Sequence, residues 1–289
     1  MKHAPGVPAV RSRLLEGDVW ETVTEGGADH ALGLRALFGA TDGVDGFRKK
    51  LLRAIDGAPD VTLVRSVGNV GDQLIYAGTR RLLAGIRYKE VSVLNVAGTG
   101  GHTALLSGGG AWCEPYHELL PAVLPLIEER FERVIILPSS FDVSVDCVRE
   151  ALENTRALVL ARERVSYQQI GNLCNADIAH DCALFFDFRP YRCNGSGLLK
   201  AYRTDKESAR QQVPAGNDDI SVTCESLDQW LWTMARYEAV ETDRAHVMIA
   251  AAMLGKRVEY SPSQYHKVPA IAEFSLSRYP VRRKTREEQ

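Results

Sequence analysis

The stretch TDRAHVMIAAAMLGKRV, from Thr242 to Val258, holds two potential cations where a helix least favours them. Thr242 and Asp243 read as N-caps, the apolar run Val247 to Leu254 as a buried helix, and Gly255 as its stop. Arg244 and His246 then fall in the first turn, where the dipole and the unpaired N–H groups disfavour positive charge by a few tenths to about 1 kcal/mol. Anion binding is the chemistry that resolves the conflict, because a bound phosphate or carboxylate turns dipole, guanidinium and imidazole into one cooperating site. The competing reading is a histidine satisfied inside a core helix.

Other segments supply donors. SVGNVGDQLIYAG reads as strand, glycine turn and helix, with Gly68 and Gly71 bracketing Asn69 and Val70. Glycine there lets backbone approach a ligand and aims helix N–H groups at an anion; the alternative is a plain tight turn capped by Asp72. The segment is neither G-x-x-x-x-G-K-[ST] nor G-x-G-x-x-G, so the nucleotide-phosphate fingerprints fail. LLSGGGAW ends a strand in Gly108, Gly109 and Gly110, and ILPSSF sets Ser139 and Ser140 at the same expected sheet edge. LARERVS puts Arg162, Glu163, Arg164 and Ser166 past another strand, where Arg162 could clamp an anion bidentately or simply pair with Glu163 at the surface. AYRTDKES adds Arg203, Asp205 and Lys206, with the same ambiguity. SPSQYHK adds His266 and Lys267, close enough along the chain to fold back beside Arg244 and His246.

The elements that position these residues alternate in period. Helix is expected at 45–55, 72–85, 116–131 and 146–156, and over SLDQWLWTMARY; strand at 61–67, 91–96, 103–110, 133–141 and 157–163. Short apolar strands separated by amphipathic helices predict a parallel sheet covered on both faces, a Rossmann-like layer. The pattern restarts with strands at 177–186, 197–203, 219–224 and 257–263. The expected organisation is therefore an extension over 1–43, a Rossmann-like domain over 44–175 and a smaller Rossmann-like domain over 176–289 carrying the D-R-x-H helix, with ligands in the cleft between them. The tail RRKTREEQ reads as solvated charge.

With 289 residues the chain can bury a proper core without staples. Its six cysteines form no C-x-x-C pair and no cluster with histidine, which predicts reduced thiols, a cytoplasmic location and no metal site. No signal peptide and no membrane span is expected. A balance of 35 Lys+Arg against 37 Asp+Glu argues against a nucleic-acid surface, so any anion site is local.

Taken in order, GNVGDQLI, SGGGAW, ILPSSF, ARERVSY, DCAL, RTDKE, TDRAHVMIAAAMLGKRV and YHKVPAI resemble the polysaccharide pyruvyltransferase family, over about residues 61 to 276. The D-R-x-H helix followed by Tyr-His-Lys is the most specific part. The resemblance implies two Rossmann-like domains facing a cleft, as in glycosyltransferases of the GT-B type. It implies an enzyme that moves the enolpyruvyl unit of phosphoenolpyruvate onto two hydroxyls of a sugar acceptor, free or lipid-linked, giving a pyruvate ketal and phosphate without a further cofactor. It assigns Arg244 and His246 to phosphoenolpyruvate, with Arg162 as the matching upstream arginine. Ala245 stands where the motif more often has Leu, a packing change.

On that footing Arg244, Arg162 and Lys267, with the turn of Gly68, Asn69 and Gly71, are expected to hold the donor. His246 protonates its methylene carbon, and Asp72 or Glu163 serves as base. Gly109, Gly110, Ser139, Ser140, Glu163, Arg203 and His266 are expected at the acceptor or cleft wall. Two rivals remain open: a nucleotide-sugar glycosyltransferase, and a non-catalytic protein that binds an anionic metabolite.

Overall fold

The computed structural model describes residues 44–285, so the expected N-terminal extension lies outside the described residues. Its centre is a seven-stranded sheet in the order β2-β1-β3-β5-β6-β7, with β4 paired beyond β3 on β5. The strands are β1 Val61–Arg65, β2 Lys89–Ser92, β3 Gly101–Leu106, β4 Gly109–Trp112, β5 Phe131–Phe141, β6 Leu158–Ala161 and β7 Asn175–Ile178. Every pairing is parallel. Strand periodicity explains the apolar runs. Leu63, Leu105, Ile135, Leu137 and Leu160 point to one core, while Val64, Ala104, Leu106, Val134, Ile136 and Val159 point to the other. Helices α1 Val44–Ile55 and α2 Val70–Leu82 contribute to the first core; α3 Leu119–Arg130, α4 Asp146–Asn154 and α5 Arg164–Ile170 contribute to the second. The mixed α/β expectation with a parallel sheet holds.

A second parallel sheet of four strands runs β11-β10-β9-β8, from β8 Leu198–Ala201, β9 Ala239–Thr242, β10 Arg257–Tyr260 and β11 Val281–Arg283. Around it lie α6 Ile220–Thr223, α7 Leu227–Ala235, α8 Ala245–Met253 and α9 Lys267–Ser275. The two sheets do not have separate cores. Leu199, Val240 and Val258 belong to the same apolar cluster as Leu63 and Leu74. Helix α2 is the pivot, packed on a 3₁₀ turn at Cys182–Phe185 and on α7 and α8. Gly78 makes that approach possible, since a Cβ there would stand 1.8 Å from the Cys182 carbonyl oxygen.

Several local expectations are corrected. The first sheet reaches past residue 175, because β7 pairs with β6; the restart expected at 177–186 is the end of β7 followed by the 3₁₀ turn. Residues 91–96 leave the strand after Ser92, whose hydroxyl accepts from Leu94 N and starts a 3₁₀ turn over Val93–Gly98. The β-branched stretch at 219–224 is not a strand but the helical turn α6, preceded by Asp219. Segments left unassigned, RVSYQQI and KVPAIAEFS, are α5 and α9. The tail begins as an edge strand, β11, with Arg282 on Glu259 and Lys284 on Glu241.

The helix of the opening motif starts later than its capping residues suggest. Thr242 closes β9, donating from Oγ1 to Ala201 O and accepting from Arg244 N, while Asp243 accepts from Arg203 N. Arg244 itself occupies the N-cap position. Apart from His246, the helix is apolar and buried all round, as that pattern requires. Gly255, at φ +80, closes it with Gly255 N on Ala252 O and Lys256 N on Ala251 O, the Schellman arrangement.

Candidate functional site

In the first sheet the chain runs from β1 outward to β2 and then returns to β3 on the other side of β1. The loops leaving β1 and β3 therefore diverge at a topological switch point, which opens a crevice at the carboxyl edge. Those loops are residues 66–69 and 107–108, the two glycine-rich segments singled out from sequence. Loops following β6, β8, β9 and β10 bring Arg162, Arg203, Arg244 and Lys267 to the same place. The result is a cleft of roughly 600 Å³, within the usual range for a small-molecule site.

Gly68, Asn69, Gly71, Asp72, Gly109, Gly110, Arg162, Arg203, Arg244, His246 and Lys267 all line this cleft. Asn69, not Asp72, caps α2: its Oδ1 accepts from Gly71 N at 2.7 Å, and Asp72 Oδ2 accepts from Asn69 N at 2.9 Å. The glycines leave room for side chains. A Cβ on Gly68 would meet the Asp72 carboxylate at 2.3 Å, and one on Gly71 would press on the His246 ring at 3.3 Å.

His246 stands among charged groups, with Nδ1 3.8 Å from Asp72 Oδ1, and Nε2 3.7 Å from Asp181 Oδ2 and 3.4 Å from Arg162 Nη1. Arg162 is only 1% exposed; Nε donates to Ser140 Oγ and Nη1 to Asp181 Oδ2, both at 2.8 Å. Burial pushes the Asp181 carboxyl up, but His246, the Arg162 charge and the Ala183 amide more than offset this and hold it well below the usual carboxylate range. Arg244 is forked onto Asp219, Nε and Nη2 each at 2.6 Å, with Asp205 at 2.9 Å from Nη2. Glu207 joins Arg203 and Lys267 by ion pairs. Burial works against ionisation of Asp205, yet Arg203 and Arg244 bring it down to about 2. The two cations expected to oppose the α8 dipole are thus placed differently: Arg244 is neutralised by carboxylates, and His246 faces the crevice.

Four expected residues do not line the cleft. Ser139 donates to Leu137 O within its strand, and Ser140 holds Arg162 from behind. Glu163 is fully buried, bonded to Ser166 and, at 3.2 Å, to His266 Nε2. Burial raises its carboxyl, but hydrogen bonds from His266 and Ser166 outweigh that and leave it below the ordinary value. These residues brace Arg162 and the segment leading to Lys267. Sequence reading missed Glu207, Asp219 and Tyr116 in or beside the cleft, and the partnership of Asp181 with Arg162. Asp181 had one signal, the DCAL segment; a carboxylate 19 positions from its arginine has no local one.

Among the described residues no group of three or more His, Cys, Asp and Glu side chains is placed to hold a metal ion, and no helix is long and apolar enough to cross a membrane. All six cysteines are free.

A solved structure described as a functional uncharacterized protein from Klebsiella pneumoniae subsp. pneumoniae NTUH-K2044 is similar in fold, with a TM-score of 0.65 at 24% identity over 83% of this chain and 97% of that one. No curated protein matches the sequence. The family model "Polysaccharide pyruvyl transferase" matches residues 69–258, spanning the α2 turn, the glycine edge, Arg162, Asp181 and the α8 motif. The chain is a member of the polysaccharide pyruvyl transferase family.

Proposed function

We propose that the cleft binds phosphoenolpyruvate and a sugar, and transfers the enolpyruvyl unit to two sugar hydroxyls to form a pyruvate ketal. The observation that carries this reading is the meeting of His246 with Arg162 and Lys267 in one cleft at the switch point of the sheet. Family membership supports a transferase acting on a saccharide. The carboxyl edges of both parallel sheets supply the cleft.

In this mechanism Arg162 and Lys267 neutralise the donor's anionic groups, assisted by the α2 turn. Protonated His246 gives its proton to the methylene carbon, which becomes a methyl group, as a sugar hydroxyl oxygen bonds to the adjacent carbon. Asp72 accepts the hydroxyl proton; it lines the cleft 3.8 Å from His246, whereas Glu163 lies behind the wall. The C–O bond to phosphate then breaks, the second hydroxyl adds to the same carbon, and its proton leaves with the phosphate. The acceptor is a neutral vicinal or 1,3-diol of a saccharide, free or lipid-linked, and Arg203 with Asp205 presents the hydrogen-bonding pair for its hydroxyls.

The test is phosphate release from phosphoenolpyruvate with a panel of galactosides, glucosides and N-acetylmannosaminides. His246→Ala is expected to lose at least about 10²-fold in kcat, as for removal of a general acid. Turnover near the parent level in His246→Ala would refute the assignment.

A further inference from the structure

Tyr265 is the residue of the YHK segment that the foregoing mechanism leaves unused. Its ring lies under Lys267, with Nζ 4.7 Å from the ring centroid. Its hydroxyl oxygen is buried and has no hydrogen-bond partner among the described residues. Buried hydroxyls are nearly always paired, so an unpaired one next to a cleft calls for a reason.

Gly110 supplies it. A Cβ built on Gly110 would stand 3.3 Å from Tyr265 Oη, 3.6 Å from Arg162 Nη2 and 3.6 Å from Lys267 Nζ. Three donors from two segments, the exit of β6 and the YHK segment after β10, thus converge on one point above a residue that has no side chain to fill it. Arg162 uses Nε and Nη1 on Ser140 and Asp181, which leaves Nη2 facing this point. Gly110 needs no left-handed backbone, since positive φ is confined to other glycines such as Gly109. Its lack of a side chain is therefore a matter of space.

We propose that the Tyr265 hydroxyl donates a hydrogen bond to one anionic oxygen of the donor substrate, completing with Arg162 Nη2 and Lys267 Nζ a three-donor pocket floored by Gly110. The inference rests on the phosphoenolpyruvate reading and adds a contact residue and a steric requirement to it. Burial raises the Tyr265 phenol well above an ordinary tyrosine, so it stays protonated and acts only as a donor. Unlike a third cation, a neutral donor binds the oxygen without adding charge that a carboxylate such as Glu207 would have to balance.

The experiment measures binding of phosphoenolpyruvate, inorganic phosphate and pyruvate to the full chain and to Tyr265→Phe and Gly110→Ala, by calorimetry and thermal shift. Tyr265→Phe is expected to melt at or above the parent temperature without ligand, because it removes an unpaired buried hydroxyl. It should bind phosphoenolpyruvate about 10- to 100-fold more weakly, the loss expected for one hydrogen bond to a charged group. Gly110→Ala should weaken binding at least as much while leaving every cation in place. Whichever of phosphate and pyruvate loses affinity in Tyr265→Phe identifies the oxygen held. Parent-like phosphoenolpyruvate binding in both variants overturns the Tyr265 pocket and leaves the donor assignment standing. A lower melting temperature for ligand-free Tyr265→Phe also overturns it, by making the hydroxyl structural. If the parent binds phosphate but not phosphoenolpyruvate, the donor assignment falls and the pocket is judged on phosphate. If the parent binds none of the three, both fall.

Discussion

Replacing Asp181 by Asn is the most informative single perturbation of the framework, because it changes charge at almost constant shape. Asp181 is fully buried, pairs with Arg162 Nη1 at 2.8 Å, approaches His246 Nε2 at 3.7 Å and accepts from Ala183 N at 2.8 Å. In the amide variant the Ala183 bond can persist, but Arg162, 1% exposed, loses its counterion. Breaking a buried pair from one side costs about 3–5 kcal/mol. At roughly 2–4 °C per kcal/mol for a domain of this size, the melting temperature should fall by about 6–20 °C. The sign with pH follows from the depressed carboxyl: its stabilisation is complete above the unfolded value near 4 and is lost only as pH falls through the lower folded value. The gap between variant and parent is therefore flat from about pH 5 to 8 and narrows in acid. Inorganic phosphate should restore more stability to Asp181→Asn than to the parent, since an anion can replace the missing charge beside Arg162. The control is Asp187→Asn, whose half-buried carboxylate meets Arg81 and Arg189 and should cost about 1 kcal/mol or less. Thermal melts of both variants across pH, with and without phosphate, decide the matter. A loss in Asp181→Asn no larger than in the control would refute the claim that Asp181 holds the site's central arginine.

Three further outcomes follow from the packing. Burial pushes His180, bonded to Ser275 Oγ and stacked on Phe274, down to about 3, so the unfolded chain takes up the proton first. Stability contributed by the neutral ring is lost as pH falls below about 6.5, by at most roughly 5 kcal/mol, and His180→Gln should flatten that limb of the pH–melting curve. Gly78→Ala, which gains up to about 1 kcal/mol in an open helix, should here cost about 3 kcal/mol or more by driving α2 off the Cys182 carbonyl, read as a lower urea midpoint. Glu163→Gln loosens the His266 contact that fixes the start of α9; the KM for phosphoenolpyruvate should rise about tenfold with kcat within about twofold, consistent with loss of one charged hydrogen bond that positions Lys267.

Legibility in the sequence divides by the range of the physics. Strands buried on both faces leave continuous apolar runs, so β1, β3, β5 and β6 could be read directly, and glycine-rich exits marked the crevice at the switch point. Local propensity misled where tertiary contacts outweighed it. ISVT is β-branched, yet Asp219 is fixed by the Thr204 amide and the Arg244 fork, and the chain turns there as α6. Thr242 and Asp243 carry good capping side chains, but both are engaged by strand β8 and its exit, so α8 starts after them. Arg162, Arg203 and Arg244 could be placed in the cleft because each follows a strand end, whereas Ser139 and Ser140, expected there too, lie within β5 and off the cleft. Asp181 and Asp219 lie 19 and 25 positions from their arginines, a separation with no periodic trace, whereas Glu207 pairs with Arg203 four positions away, a local signal within RTDKE. Reading Arg244 as an unopposed cation was the consequence.

Conversion of phosphoenolpyruvate and a sugar diol into a pyruvate ketal is the activity proposed for this cleft. The most direct measurement incubates the full chain with phosphoenolpyruvate and the acceptor panel, and records phosphate release together with the mass of the acceptor. The expected result is one acceptor gaining the pyruvate-ketal increment, one phosphate released per ketal, and both signals lost in His246→Ala. Absence of ketal and phosphate across the panel, combined with thermal stabilisation by UDP or GDP rather than phosphoenolpyruvate, would contradict it and point to a nucleotide-sugar transferase instead.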